Sequence, residues 1–196
     1  AYDGFVLANN NNMQYKFSKA SISGKFYDNN FIISKANFFK SSNLEYVFHD
    51  VIVSNSNFKI SKLEYLKENK LQYTFNDTII NNMLVTKSLL KIKISRTFSN
   101  FIRSKFDIEL LGNTDLVLHL SGNLKNLDFN LKLDSNLKNS YLKIQYLDLV
   151  KKINITSFIK AEILLTRGKL ALIKNAYLTI DSTIYKIDLI DFSKKN

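Results

Sequence analysis

The 196 residues contain no cysteine, which excludes disulfides, cysteine-based zinc sites, iron–sulfur clusters and thiol chemistry. Proline is also absent, where about ten would be expected at a usual usage of ~5%. The two histidines, His49 and His119, leave little for a histidine-rich metal site. Five glycines, never two close together, exclude phosphate-cradling and dinucleotide-binding loops. No G-x-S-x-G elbow occurs among the many serines. Uninterrupted apolar runs reach only about four residues, as in Leu170 to Ile173, against ~20 for a membrane-spanning helix. No targeting segment is visible, and the sequence begins at Ala1. The expectation is a piece of a longer protein or a processed product, with any signal or anchor upstream.

Apolar residues make up 45% and charged residues 23%, the balance of a globular chain with one domain as the default. The net charge is +11, from 28 basic and 17 acidic residues. Only Arg96, Arg103 and Arg167 are arginine, the preferred bidentate phosphate binder. The lysines are scattered rather than gathered in a stripe. Lys, Asn, Ile, Phe and Tyr share AT-rich codons, so genome composition alone can produce this balance. No nucleic-acid partner is expected.

The dominant signal is period-two alternation. Leu127, Phe129, Leu131 and Leu133 alternate with Asp128, Asn130, Lys132 and Asp134. The same pattern runs through Leu71 to Phe75, Leu90 to Ile94, Phe106 to Leu110, Leu116 to Leu120 and Tyr185 to Leu189. Successive strand side chains point to opposite faces, so each run makes one apolar and one polar face. That is the pattern of antiparallel sheet with one covered side. Asn, Asp and Ser clusters punctuate the runs, as at Asp28-Asn29-Asn30, Asn81-Asn82, Gly122-Asn123 and Asp181-Ser182. Asn and Asp tolerate the left-handed conformation and so replace the missing proline and scarce glycine.

This spacing predicts about thirteen to fifteen short strands. At ~4.8 Å per strand they would make a sheet roughly 65 Å long. Twisted sheets rarely exceed ~10 strands without curling, splitting or closing. Helix is expected over Thr97 to Lys105, where Phe98, Phe101 and Ile102 share a face, with a further turn or two near Tyr146 to Lys152. Residues 1–12, ending in Asn9 to Asn12, read as a strand remnant or linker. Residues 13–196 read as one module.

No residue set points to catalysis. Asp107 with Glu109, and Asp188 with Asp191, are near neighbours, but strand-borne carboxylates are ordinarily just solvated. His119 sits opposite a leucine face and His49 lies beside Asp50; both read as surface residues. Phe38, Phe39, Phe58, Phe75, Phe98, Phe101 and Phe129 read equally as ordinary core, and Tyr141, Tyr146, Tyr177 and Tyr185 as sheet-edge or surface residues. The apolar face itself has two readings: the dry core of a sandwich, or the lining of an open groove. Alternation is identical in both.

The stretch from Gly112 to the end carries a family resemblance. It reads G-N-T-D-L-V-L-H-L-S-G, then L-D-F-N-L-K-L-D-S-N-L-K-N-S-Y-L-K-I, then Lys151-Lys152, then A-E-I-L-L-T-R-G-K-L-A-L-I-K-N-A-Y-L-T-I. It resembles the AsmA-like superfamily of long envelope proteins, and its YhdP-type segment most. There a glycine-led alternating strand is followed by D-L-x-N-A-x-L, a lysine-containing turn and strands ending in G-x-L-x-x-I. Asn136 to Leu142 and Gly168 to Ile173 carry those two features. Asn136 stands for the family's Asp, Ser140 for its Ala, and the Pro and Gly of the lysine turn are missing. The resemblance covers roughly residues 85–196, and 13–84 only by element order.

The resemblance implies a mainly β fold: a long curled antiparallel sheet, the AsmA-like β-groove, with one or two short helices. It implies a non-enzymatic segment of a periplasmic lipid-transfer bridge, with no cofactor. Phospholipid would be the partner, carried between inner and outer membrane of the cell envelope, and an inner-membrane anchor would lie elsewhere in the full chain. The implied groove lining is the alternating set Leu116, Leu118, Leu120, Leu127, Phe129, Leu131, Leu133, Leu142, Ile144, Leu170, Leu172, Leu178, Ile180, Ile187 and Leu189. The competing expectation is a structural or interaction module, a β-sandwich or β-solenoid of a surface or envelope protein.

Overall fold

A computed structural model describes residues 9–10, 13–14, 19–41, 43–55 and 57–192. Of the expected linker, residues 1–8 and 11–12 lie outside the described residues. The chain divides into two compact units, Ala1–Leu89 and Leu90–Asn196.

In the first unit a two-residue ladder, β1 (Asn9–Asn10) with β2 (Met13–Gln14), precedes a meander. The meander runs β3 (Lys19–Tyr27), β4 (Asn30–Ser41), β5 (Leu44–Ser54), β6 (Asn57–Lys67), β7 (Lys70–Asn81) and β8 (Leu84–Lys93), whose end passes into the second unit. There follow α1 (Arg96–Phe106), β9 (Ile108–Gly112), β10 (Asp115–Asn123), β11 (Asp128–Asn136) and β12 (Ser140–Ile144). A 3-10 turn (Gln145–Leu147) leads to β13 (Leu149–Lys151), then β14 (Ser157–Thr166), β15 (Lys169–Ile180) and β16 (Thr183–Asp191). The fold is mainly β. Its principal sheet has eleven antiparallel strands in the order β3-β4-β5-β6-β7-β8-β10-β11-β14-β15-β16 and does not close into a barrel.

Two excursions leave that sheet within the second unit. The first, α1 and β9, joins β8 to β10; the second, β12 to β13, joins β11 to β14. They meet as a separate sheet in the order β9-β12-β13. The sequence reading had no second sheet. Of the turn or two of helix expected near Tyr146 to Lys152, the structure has the single 3-10 turn Gln145–Leu147, and β13 takes the rest, a stretch too short for its period to separate strand from turn.

The helix starts where the alternation stops. Ser95 Oγ accepts from the Phe98 amide at 3.2 Å, and Asp107, at φ 53°, donates its amide to Arg103 O. Arg103 and Lys105 in the last turn suit the negative end of the helix. Among the described residues, twelve of the sixteen non-glycine residues at positive φ are Asn or Asp; the others are Glu68, Met83, Leu127 and Arg167. Four tight hairpins carry positive φ at both central residues: Asp28-Asn29, Glu68-Asn69, Asn82-Met83 and Arg167-Gly168. This is the turn whose twist matches paired strands.

Gly122 is fixed by close approach. At Gly122, φ 154°, an added Cβ would lie 2.2 Å from Asp128 O across the β10–β11 ladder. Gly122→Ala therefore lowers stability by about 1–3 kcal/mol, read as a fall in the urea midpoint at unchanged m-value.

Candidate functional site

Cross-strand partners share a face, and so do residues two apart. In the first unit the register builds two rows on one face of β4 to β7. Phe38, Tyr46, Tyr65 and Tyr73 are aligned partners, and so are Ala36, Phe48, Leu63 and Phe75. The rings touch in series. Tyr46 and Tyr65 lie 5.1 Å apart, Tyr65 stacks on Tyr73 at 4.6 Å, and Tyr73 meets Phe75 edge-on at 5.7 Å. Phe38 meets Phe48 edge-on at 5.5 Å. Burial pushes the Tyr73 hydroxyl pKa up, with Tyr46 and Tyr65 adding to the shift.

The opposite face of the same strands is mainly polar, with Val47 and Thr74 buried in it. Lys35, His49, Lys62 and Asn76 form one row, and Asn37, Val47, Glu64 and Thr74 the next. Glu64 lies 3.0 Å from His49 Nε2 and 2.6 Å from Lys62 Nζ. Burial alone would raise its pKa; the hydrogen bonds and charges of Lys62 and His49 outweigh that and hold it below the usual value. Asn37 Nδ2 donates to Glu45 Oε1 at 2.7 Å. Below both rows the ladders step over Ser34, Asp50, Ser61 and Asp77, all exposed, with Asp50 and Asp77 at positive φ. The regular aromatic face ends at this line.

The degree of burial is the informative property of that face. β5 and β6 are interior strands, yet Tyr46, Phe48, Leu63 and Tyr65 remain only half-buried, as do Phe38, Tyr73 and Phe75. Ala36 alone of the two rows is buried. Neighbouring rings cover part of each side chain, as where Tyr65 stacks on Tyr73, and the rest stays exposed.

The second unit differs. Of the sequence-derived lining residues, Leu116, Leu118, Leu131, Leu142, Ile144 and Leu178 are buried by the chain itself. Leu120, Phe129, Leu133, Leu170, Leu172, Ile180 and Ile187 are half-buried, and Leu127 and Leu189 are exposed. Such burial on a one-sheet face needs a second layer. In the β9-β12-β13 sheet Leu110, Leu142, Ile144 and Leu149 are buried too. Phe106, ending α1, meets Phe192, just past β16, edge-on at 6.3 Å.

The register also sorts the lining residues. Leu120, Leu131, Ile163, Ile173 and Ile190 form one row, beside Phe129, Leu165 and Leu170. Leu142 and Ile144 belong to the second sheet, paired with Leu110 and Ile108. Leu172 and Leu189 fall on the other face of the principal sheet. Leu172 pairs with Leu164 and Asp191, and Leu189 pairs with Lys174, itself the partner of Glu162. The cause is β15, where register shifts against β14 insert extra residues around Ala171 and Asn175. Each extra residue moves the alternation to the opposite face. Leu127 stands at positive φ in the turn before β11, where its carbonyl accepts from Gly168 N at 2.7 Å.

Among the described residues, one buried side-chain polar atom of this core has no partner. Ser140, on β12, is fully buried and its Oγ is unbonded. Ser140→Ala removes a desolvated hydroxyl without breaking a bond, so thermal unfolding shifts by less than about 0.5 kcal/mol or moves toward greater stability.

The carboxylates named from the sequence are not brought into a cluster. Asp107 caps α1, and Lys186 pairs with Asp188 at 3.0 Å. His119 is exposed and paired in the ladder with Lys132. Among the described residues no group of three His, Cys, Asp or Glu could hold a metal ion, and no helix is long and apolar enough to cross a membrane. The aromatic face of the first unit has no distinguishing signal in the sequence, where Phe38 and Phe75 read equally as ordinary core. No protein-family model, curated protein or solved structure matches this chain.

Proposed function

We propose that the chain is a non-enzymatic segment of a lipid-transfer bridge in the cell envelope, and that the aromatic face of the first unit carries phospholipid acyl chains. One observation carries the reading: on interior strands, two aligned rows of large apolar side chains stay half-open. An acyl chain laid on such a face gains ~0.8 kcal/mol per methylene removed from water. No polar group of the face fixes its position, so the chain slides. The tyrosine row adds hydroxyls at one margin, the amphipathic chemistry that rings favour where apolar and wet surroundings meet. The resemblance of residues 85–196 to AsmA-like segments supports the same reading. In it the chain works in the periplasm between inner and outer membrane, anchored through a part of the protein outside this sequence.

The test is photo-crosslinking with a phospholipid bearing a diazirine at the acyl terminus. The reading expects adducts on Phe38, Phe48, Leu63 and Phe75. Adducts spread evenly over both faces of β4 to β7 would contradict it. A second reading, a structural or interaction β-module, is favoured by the closed core of the second unit, where six of the lining residues are already buried.

A further inference from the structure

We propose that Lys151 is a built-in cation: its ammonium fills a cradle of backbone carbonyls and clips β13 to the turn between β11 and β12. Lys151 is fully buried, a rare state for a lysine. Its Nζ donates to the carbonyls of Leu137 and Ser140, and to that of Lys138 at 3.2 Å. An ammonium has three N–H groups, so three carbonyls satisfy it completely. Among the described residues it forms no ion pair. Burial pushes its pKa below the ordinary lysine value, and converging carbonyl dipoles are what offset that cost.

The cradle is held from outside the lysine. Leu137 N donates to Ser157 O at 2.8 Å, Ser140 N to Leu137 O at 2.9 Å and Lys138 N to Asn136 Oδ1 at 2.8 Å. Lys138 O also accepts from Asn154 N at 2.8 Å. Leu137 and Ser140 are themselves almost wholly buried. With the lysine removed, Leu137 O keeps the Ser140 amide and Lys138 O the Asn154 amide, but the three carbonyls still converge on one space that has lost its cation, so the cradle is a site for a small ammonium ion. The clip joins both sheets of the second unit. Lys151 pairs with Leu142 across the β12–β13 ladder, while Leu137 is tied to the first residue of β14.

The discriminating variants are Lys151→Met and Lys151→Ala in the full chain. Met keeps most of the volume and removes the charge. If burial alone mattered, it would be neutral or stabilising, as apolar replacements of buried charges often are. The expected result is a fall of about tenfold or more in the folding equilibrium, because the carbonyl dipoles that converge on Nζ would face an apolar methyl group with no donor in its place. In Lys151→Ala, ethylammonium or propylammonium chloride raises the urea midpoint; tetramethylammonium chloride, which cannot donate, does not. The wild-type chain responds equally to all three salts. A Lys151→Met variant as stable as the wild type overturns the proposal, as does an equal effect of every salt on Lys151→Ala. Should neither variant fold, the wild-type chain decides. The Lys151 ammonium resonance is expected to be slow in solvent exchange and scalar-coupled to the carbonyl carbons of Leu137, Lys138 and Ser140. A fast-exchanging, uncoupled ammonium overturns the proposal.

Discussion

Replacing Phe48 and Phe75 together by aspartate abolishes acyl-chain binding while leaving the first unit folded. The two residues lie in one row, separated by Leu63, on interior strands of the sheet. Both are half-buried, so an introduced carboxylate keeps much of its hydration, and each substitution costs roughly 1–3 kcal/mol, an ordinary value for a partly exposed site. The effect on a ligand is far larger. An acyl chain crossing the row would have to desolvate two carboxylates with no partner, a cost that exceeds the ~0.8 kcal/mol per methylene it gains there. Binding of a pyrene-labelled phospholipid falls to background, and circular dichroism retains the strand signal. The control places the same charges on the polar face at positions the chain does not bury: Lys35→Asp with Asn76→Asp leaves lipid binding intact. Loss of binding and loss of fold in equal measure on the aromatic face would mean those rings are core.

Leu118→Asp, by contrast, unfolds the second unit. Leu118 is 5% exposed, and its ladder partner Leu133 and Leu133's partner Ala161 carry no donor for a carboxylate. An unpaired charge buried there costs more than about 4 kcal/mol, a large part of a domain's whole stability. Hydrogen exchange across residues 90–196 reads the outcome. The expected result is loss of protection throughout β10, β11 and β14. Protection unchanged from the wild type would mean that Leu118 faces an open groove after all. The same apolar alternation thus gives opposite outcomes in the two units, according to whether the chain itself buries it.

That contrast marks the limit of what the sequence discloses. Period two identifies strands wherever one face is apolar, which is why Leu127 to Leu133 announces β11 and Leu116 to Leu120 announces β10. The loss of alternation after Ile94 announces α1, and the Asn and Asp clusters locate the hairpins. Alternation says nothing about which sheet a strand joins. Leu142 and Ile144 carry the same signature as Leu131 and Leu133, yet belong to the smaller sheet. It also fails across bulges. Reading Leu170, Leu172 and Leu178 as one face assumes no extra residue between them, and β15 has them. Burial is a property of layers rather than strands, so nothing local separates the half-open Phe48 from the buried Leu118. Lys151 looked like one more lysine in a turn, because the carbonyls that hold it belong to a segment more than ten residues away and carry no side-chain code.

The proposed function stands on lipid occupying the open aromatic face, and lipid extraction measures that directly. The wild-type chain and the Phe48→Asp/Phe75→Asp variant are purified under mild conditions, extracted, and analysed for phospholipid by mass spectrometry. The account predicts phospholipid in the wild-type extract and its loss from a variant that remains folded. A wild-type chain that is folded, free of lipid and unable to take up phospholipid from vesicles would contradict it, leaving an open apolar sheet face without the ligand assigned to it.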